Sequence, residues 1–215
     1  MQILGFSAGP YKTNTYVMAN DEHAVVVDPG MHTAAKIEEI LATRELSLEG
    51  IVLTHGHIDH TRDAGDLALK HSVPVYIHPE DAFMLKNGEG VSEQSQVLFD
   101  ASNMTPISDL RELSADLPLK VLGTSFSVLH CPGHSPGSVI IVGDEFAITG
   151  DVLFKGSIGR TDLPQSSPQA MRESLAGPVK TLEDSLALLP GHGPTTTMRS
   201  ERQTNPFLTG VADVV

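Results

Sequence analysis

Strand-like and helix-like patterns alternate along the whole chain in short stretches. Gln2-Ile3-Leu4-Gly5-Phe6 and Asn14-Thr15-Tyr16-Val17-Met18 read as strands. The β-branched run Ala24-Val25-Val26-Val27 is a third and stops at Asp28-Pro29-Gly30, a turn signal. The second and third meet in a hairpin around Asn20-Asp21. From Thr33 the period lengthens: Ala35, Ile37, Ile40 and Leu41 recur at helical spacing, with Lys36, Glu38, Glu39 and Arg44 between them. Gly50-Ile51-Val52-Leu53 is short and apolar, as a buried strand is. Asp59 through Lys70 then reads as one helix, with Ala64, Leu67, Ala68 and Leu69 for the core. Pro74–His78 is a strand and Glu80–Lys86 a short helix.

Residues 87–118 show no clear period and carry the loop formers Gly88, Gly90, Ser92, Ser95, Ser102, Pro106 and Ser108. Such a segment is either disordered or functional, often a lid or a substrate wall. Strands return at Leu119–Leu122 and Ser125–His130, around Gly123-Thr124. Ser138–Val142 and Glu145–Thr149 form a hairpin closed by Gly143-Asp144. Pro168–Leu175 is helical, Leu186–Leu189 is the last apolar strand, and Thr197–Leu208 has a mixed-charge helical pattern. Strands and helices in alternation, with several strands in each half, predict an α/β sandwich of two sheets with helices outside. No tandem repeat or linker interrupts it, so residues 1–215 are expected to form one domain.

The charge balance narrows the function. The formal net charge is −13 and pI about 5.0, which argues against a nucleic-acid or anionic-membrane surface. A single cysteine, Cys131, excludes an internal disulfide and fits a reducing compartment. It is read as a small buried residue and not as a nucleophile. The start of the chain shows no secretory pattern and no apolar run approaches a membrane span, so a cytoplasmic location is expected.

The chemistry concentrates in Leu53-Thr54-His55-Gly56-His57-Ile58-Asp59-His60, where three histidines and an aspartate fall within six positions. Imidazole and carboxylate are ligands for divalent metals. His55 and His57 leave a strand on a loop, and Asp59 and His60 open the next helix, so all four gather at one sheet edge. His134, Asp151 and His192 each follow a strand and a glycine, which suggests that loops converge on one point. Seven ligands are too many for one tetrahedral ion and suit two ions with a shared carboxylate, for which Asp151 is the candidate. Asp28 is read as a turn former and His78 as structural.

The ordered set Thr54–His60, Pro132–Gly137, Thr149–Asp151 and Pro190–Pro194 resembles the metallo-β-lactamase fold superfamily, within it the glyoxalase II-like hydrolases. Gly159-Arg160-Thr161-Asp162 and Glu201-Arg202-x-x-Asn205-Pro206-Phe207 are similar to the bacterial single-domain branch. The resemblance implies an αββα fold of two mixed sheets flanked by helices. It implies a first metal on His55, His57 and His134, a second on Asp59, His60 and His192, and Asp151 between them. Zinc is the first expectation, with iron or manganese also suited. The implied activity is hydrolysis of a small-molecule thioester such as S-lactoylglutathione to a hydroxy acid and free thiol, through a hydroxide that bridges the metals, with Asp59 as a catalytic residue. Arg160 would meet a substrate carboxylate or, on the alternative reading, pair with Asp162. The family also contains persulfide dioxygenases, whose single iron would here rest on His55, His134 and Asp151. Two departures stand out. The chain is too short after His192 for the C-terminal helical domain that contributes glutathione contacts. Thr61-Arg62 also stand where many relatives carry a Gly-Gly pair. Oligomeric state is not legible.

Overall fold

The computed structural model describes residues 1–215. The first sheet contains, in order, β1 (Gln2–Ala8), β2 (Thr13–Ala19), β3 (His23–Val27), β4 (Ser47–Val52), β5 (Val75–Ile77) and β6 (Leu110–Glu112). β1–β2–β3 is an antiparallel meander, and β3 through β6 run parallel. The second sheet has β7 (Leu119–Val121), β8 (Thr124–His130), β9 (Val139–Val142) and β10 (Phe146–Gly150) as antiparallel neighbours. A two-strand ribbon, β11 (Leu153–Phe154) and β12 (Ser157–Ile158), leaves the end of β10. β13 (Ala187–Pro190) then pairs parallel with β10, and β14 (Thr196–Thr197) closes the edge. These are two mixed sheets with helices on the outer faces.

Strand alternation explains the packing. Val25 and Val27 point between the sheets, with Met18, Val52, Phe126, Val128, Ile141 and Ile148. Their neighbours Ala24 and Val26 point outward, onto Ile37 and Leu41 of α1 (Ala34–Thr43). On the far side Ile140, Ala147 and Leu188 meet helical residues Met171 and Leu175. The central strands, β9 and β10 among them, therefore bury both faces, which is why they read as nearly continuous apolar runs.

One expectation is corrected. Residues 59–70 form two helices, α2 (Ile58–Thr61) and α3 (Ala64–His71), and not one. Asp63 takes its own partners at the break: its N–H donates to the Pro29 carbonyl, and its carboxylate accepts the N–H groups of Thr33 and Ala34 at the start of α1. The break lets Asp63 cap another helix. The unreadable stretch is ordered. It holds α4 (Glu93–Leu98), a 3₁₀ turn at Ala101–Asn103 and β6. The expected short helix at Glu80–Lys86 is a 3₁₀ helix over Pro79–Leu85, a further 3₁₀ turn spans Pro178–Thr181, and the remaining α-helices are α5 (Pro168–Ala176) and α6 (Met198–Thr204).

Candidate metal centre

The site is assembled where β4, β8, β10 and β13 end. After β4, Thr54 turns the chain: its N–H donates to Asp28 Oδ1 at 2.8 Å and its hydroxyl to Asp28 Oδ2 at 2.6 Å. His57 is extended and precedes α2, so Asp59 and His60 fall on that helix's first turn, as the sequence predicts. His134, Asp151 and His192 come from the loops after β8, β10 and β13. Gly191 shows why a glycine precedes His192: a Cβ there would strike the Asp151 carboxylate and the His60 ring. Gly150, at φ +47°, needs both a left-handed backbone and room against Thr54.

The structure brings all seven expected ligands together. His55, His57 and His134 form one group whose ligand atoms are close enough to share an ion; Asp59, His60 and His192 form a second. His57 Nδ1 and His134 Nε2 face each other at 2.9 Å. His192 Nε2 lies 3.2 Å from Asp59 Oδ2 and 3.3 Å from His60 Nε2. Asp151 touches both groups. Its Oδ2 is 3.4 Å from His134 Nε2 and 3.4 Å from His192 Nε2, and its Oδ1 is 3.4 Å from His60 Nε2. That is where a bridging carboxylate belongs. His55 Nε2, His57 Nε2 and Asp151 Oδ1 are buried without a hydrogen-bond partner. Orphaned buried polar atoms are costly, and three in one cluster fit cation ligation. The donor set and these atoms together fit a dinuclear metal site.

The far side of nearly every ring is fixed by an acceptor. His60 Nδ1 donates to Asp28 Oδ2 at 2.9 Å, His134 Nδ1 to the Arg160 carbonyl at 2.9 Å and His192 Nδ1 to the Tyr11 carbonyl at 3.2 Å. His55 Nδ1 is 3.2 Å from the Thr54 hydroxyl, whose own proton is committed to Asp28. In each case Nδ1 carries a proton, which leaves Nε2 as the ring atom turned to the centre. Thr13 Oγ1 donates to Asp59 Oδ2 at 2.9 Å.

The electrostatics agree. Burial opposes charge on His60, yet Asp151 and Asp59 outweigh it and hold its pKa well above the imidazole norm. His192 is likewise raised, by Asp59 and Asp151 against burial. Burial is the first cause pushing His55 far down and His57 down to about 3, and the neighbouring imidazoles add to it. Burial would raise Asp59 and Asp151, but His60 holds both below the usual carboxylate range, with help from His192. The lowered carboxylates favour their charged form, and the protons that His60 and His192 hold compete with a cation.

Three groups carry more than the sequence reading gave them. Asp28 does sit in a turn, at φ +52°, but its carboxylate also orients His60 and, through Thr54, His55. The motif signal alone, Asp at a strand end, did not separate these roles. Asp81 was missed. It is fully buried and accepts the Gly56 N–H at 2.8 Å, the Ser135 hydroxyl at 2.6 Å and the Gly137 N–H at 2.5 Å. One carboxylate thus ties the His55–His60 loop to the His134 loop. Asn14, expected only as part of a strand, donates through its side-chain amide to the carbonyls of Pro190 and Gly193 on either side of His192. Arg160 serves the site through its backbone, while its exposed guanidinium grips Asp162 at 2.6 and 2.7 Å. The closing motif is also placed: Glu201 accepts the Gly156 N–H and Asn205 holds the Phe154 and Ser157 carbonyls, which anchors the β11–β12 ribbon ahead of Arg160. Cys131 is buried as expected, and burial pushes its thiol up to about 12.

Comparison with known proteins places the chain in a family. The profile of the metallo-beta-lactamase superfamily matches residues 8–196. An uncharacterized protein of Mycobacterium leprae is 39% identical over 98% of this chain and 100% of its own length. Hydroxyacylglutathione hydrolase GloC of Haemophilus influenzae is 34% identical, covering 92% of this chain and 93% of its own. Among solved structures, TTHA1623 in a di-iron-bound form superposes with a TM-score of 0.83 at 35% identity, over 95% of this chain and 100% of that one. The B3 metallo-beta-lactamase BLEG-1 gives 0.82 at 35% identity, over 97% and 100%. ETHE1 from Myxococcus xanthus gives 0.80 at 23% identity over 98% and 85%, a likeness of fold alone.

Proposed function

The chain belongs to the metallo-beta-lactamase superfamily, and from that premise we propose that it is a metal-dependent hydrolase that cleaves small-molecule thioesters, S-lactoylglutathione first among them. The observation that carries the reading is the Asp151 carboxylate lying against both ligand groups in a chain 34% identical to a hydroxyacylglutathione hydrolase. His55, His57 and His134 would hold one divalent ion, Asp59, His60 and His192 the other, with zinc the first choice for both. Two such ions supply Lewis acidity, lowering the pKa of water and polarising a carbonyl. Asp59, steadied by Thr13, orients the attacking water and is the catalytic side chain of the chain itself. The thiol leaves without a general acid, because thiols ionise near pH 8.5 where alcohols do not. Arg160 serves the substrate by exchanging Asp162 for a substrate carboxylate. The completeness of the second group supports two ions over the single iron of a dioxygenase.

The test is thiol release from S-lactoylglutathione by the zinc-loaded protein. Release is expected, lost on chelation and reduced roughly 10²- to 10⁴-fold in Asp59→Asn. Arg160→Ala keeps kcat and raises KM. A second reading, β-lactam hydrolysis, rests on the 35% identity to BLEG-1; turnover of nitrocefin with no release from the thioester would favour it.

A further inference from the structure

The way into the metal centre opens at His192, whose side chain is 26% exposed while the other six ligands are buried. Two exposed residues stand directly behind the ligand rings. The Tyr11 carbonyl accepts from His192 Nδ1 at 3.2 Å, and the Arg160 carbonyl from His134 Nδ1 at 2.9 Å, so each ligand group has one such residue behind it. Tyr11 lies in the turn between β1 and β2 and is 49% exposed. Its ring meets Phe99 edge-on, with centroids 4.9 Å apart, and its hydroxyl lies 3.1 Å from Ser95 Oγ of α4. Phe154, on the ribbon that leads to Arg160, meets the His192 ring edge-on at 6.1 Å.

We infer, resting on the thioesterase reading, that Tyr11 is a specificity residue for anionic thioesters: its hydroxyl and the Arg160 guanidinium together receive one carboxylate carried by the thiol portion of the substrate. The backbones of both residues are fixed to the centre through ligand rings, so both side chains start at its rim. Asp162 raises the Arg160 guanidinium most and the Tyr11 phenol adds to it, which puts the two side chains within electrostatic reach of each other. Each is engaged with a partner that a ligand can replace at the surface, Tyr11 with Ser95 and Arg160 with Asp162. A phenol O–H and a guanidinium fork are both donors, and a carboxylate has two oxygens to accept from them. On a chain of net charge −13 an anion is repelled in general, so donors at the mouth decide whether it is held. The Phe99 contact keeps the Tyr11 ring in place and lowers the cost of ordering it on binding. That contact could also serve only to prop α4 on the β1–β2 turn. A prop needs the ring alone; recognition needs the hydroxyl.

The test measures binding by titration calorimetry on the zinc-loaded protein. The probes are S-methylglutathione, a thioether that cannot be hydrolysed, and its diethyl ester, which carries no carboxylate. The native protein should hold the diacid about tenfold or more tighter than the ester, a comparison that needs no variant. Tyr11→Phe keeps the ring on Phe99 and the backbone carbonyl on His192 and removes the hydroxyl alone. It should weaken the diacid about tenfold and leave the ester unchanged. Combined with Arg160→Ala, it should cost less than the product of the two single losses, because both groups read one carboxylate. Zinc content checks that each variant keeps its centre. A native protein that does not prefer the diacid would overturn the inference. So would Tyr11→Phe that binds the diacid as tightly as the native protein or loses both probes equally, or losses that multiply in full in the double variant. A failure of the thioesterase reading would show separately, as no thiol release from S-lactoylglutathione with this binding pattern intact.

Discussion

At the residue scale, the site works because its ligands are held from behind. Asp81 is the clearest case, since one buried carboxylate joins two loops. Replacing it with alanine strands the N–H groups of Gly56 and Gly137, while the Ser135 hydroxyl keeps Ser138 Oγ at 2.7 Å. Asp81→Ala should lose about 3 kcal/mol of stability. It should also weaken metal binding roughly 10- to 100-fold, as loss of an orienting group does. Denaturant melts and metal competition read the two effects, and Asp81→Asn should recover part of both; an alanine variant with native metal affinity would show that the loops need no such tie. A second consequence follows from charge. His60 and His192 hold protons more tightly than ordinary imidazoles because Asp59 and Asp151 face them. A metal must displace those protons. Loading at neutral pH should therefore release protons, and affinity should climb as pH rises through the raised imidazole pKa values and fall as it drops. A pH indicator in weak buffer measures the release; uptake with no proton set free would contradict the assignment.

At the scale of elements, Arg62 ties the ligand-bearing helix to a distant segment. Its Nε donates to the Phe99 carbonyl at 2.8 Å and its Nη2 approaches Asp100 at 3.4 Å. Phe99 in turn packs on Ile58, between His57 and Asp59. The helix that bears two ligands thus anchors the segment around α4, and Tyr11, whose carbonyl orients His192, lies edge-on to Phe99. Arg62→Ala should leave the sandwich intact and speed hydrogen exchange across residues 93–103, by about fivefold for a loss near 1 kcal/mol. Exchange at the native rate would mean that Phe99 alone holds the segment. The same region marks the limit of what the pattern of residues could say. Strands such as β3, from Ala24 onward, and β9 were legible because both faces are covered and each position is apolar. α4 buries no side chain and β6 is three exposed residues, so neither leaves a periodic trace. The split between α2 and α3 was hidden because Asp63 acts on a helix thirty residues away.

At the scale of the molecule, the seven ligands were legible because each stands in a local motif at a strand end, and the sandwich collects strand ends at one rim. The groups that hold them were not. Asp28, Asp81 and Asn14 act through partners 25 to 179 residues distant, and Asp81 stands in no motif at all. No helix is long and apolar enough to cross a membrane. The central claim is that two divalent ions sharing Asp151 make this family member a thioesterase, and one titration tests it. Metal is stripped by a chelator, zinc is returned in measured steps, and thiol release from S-lactoylglutathione is followed at each step. The account predicts no release from the stripped protein and a rate that rises to a plateau at two zinc ions per chain. A plateau at one ion, or release that survives without metal, would contradict it.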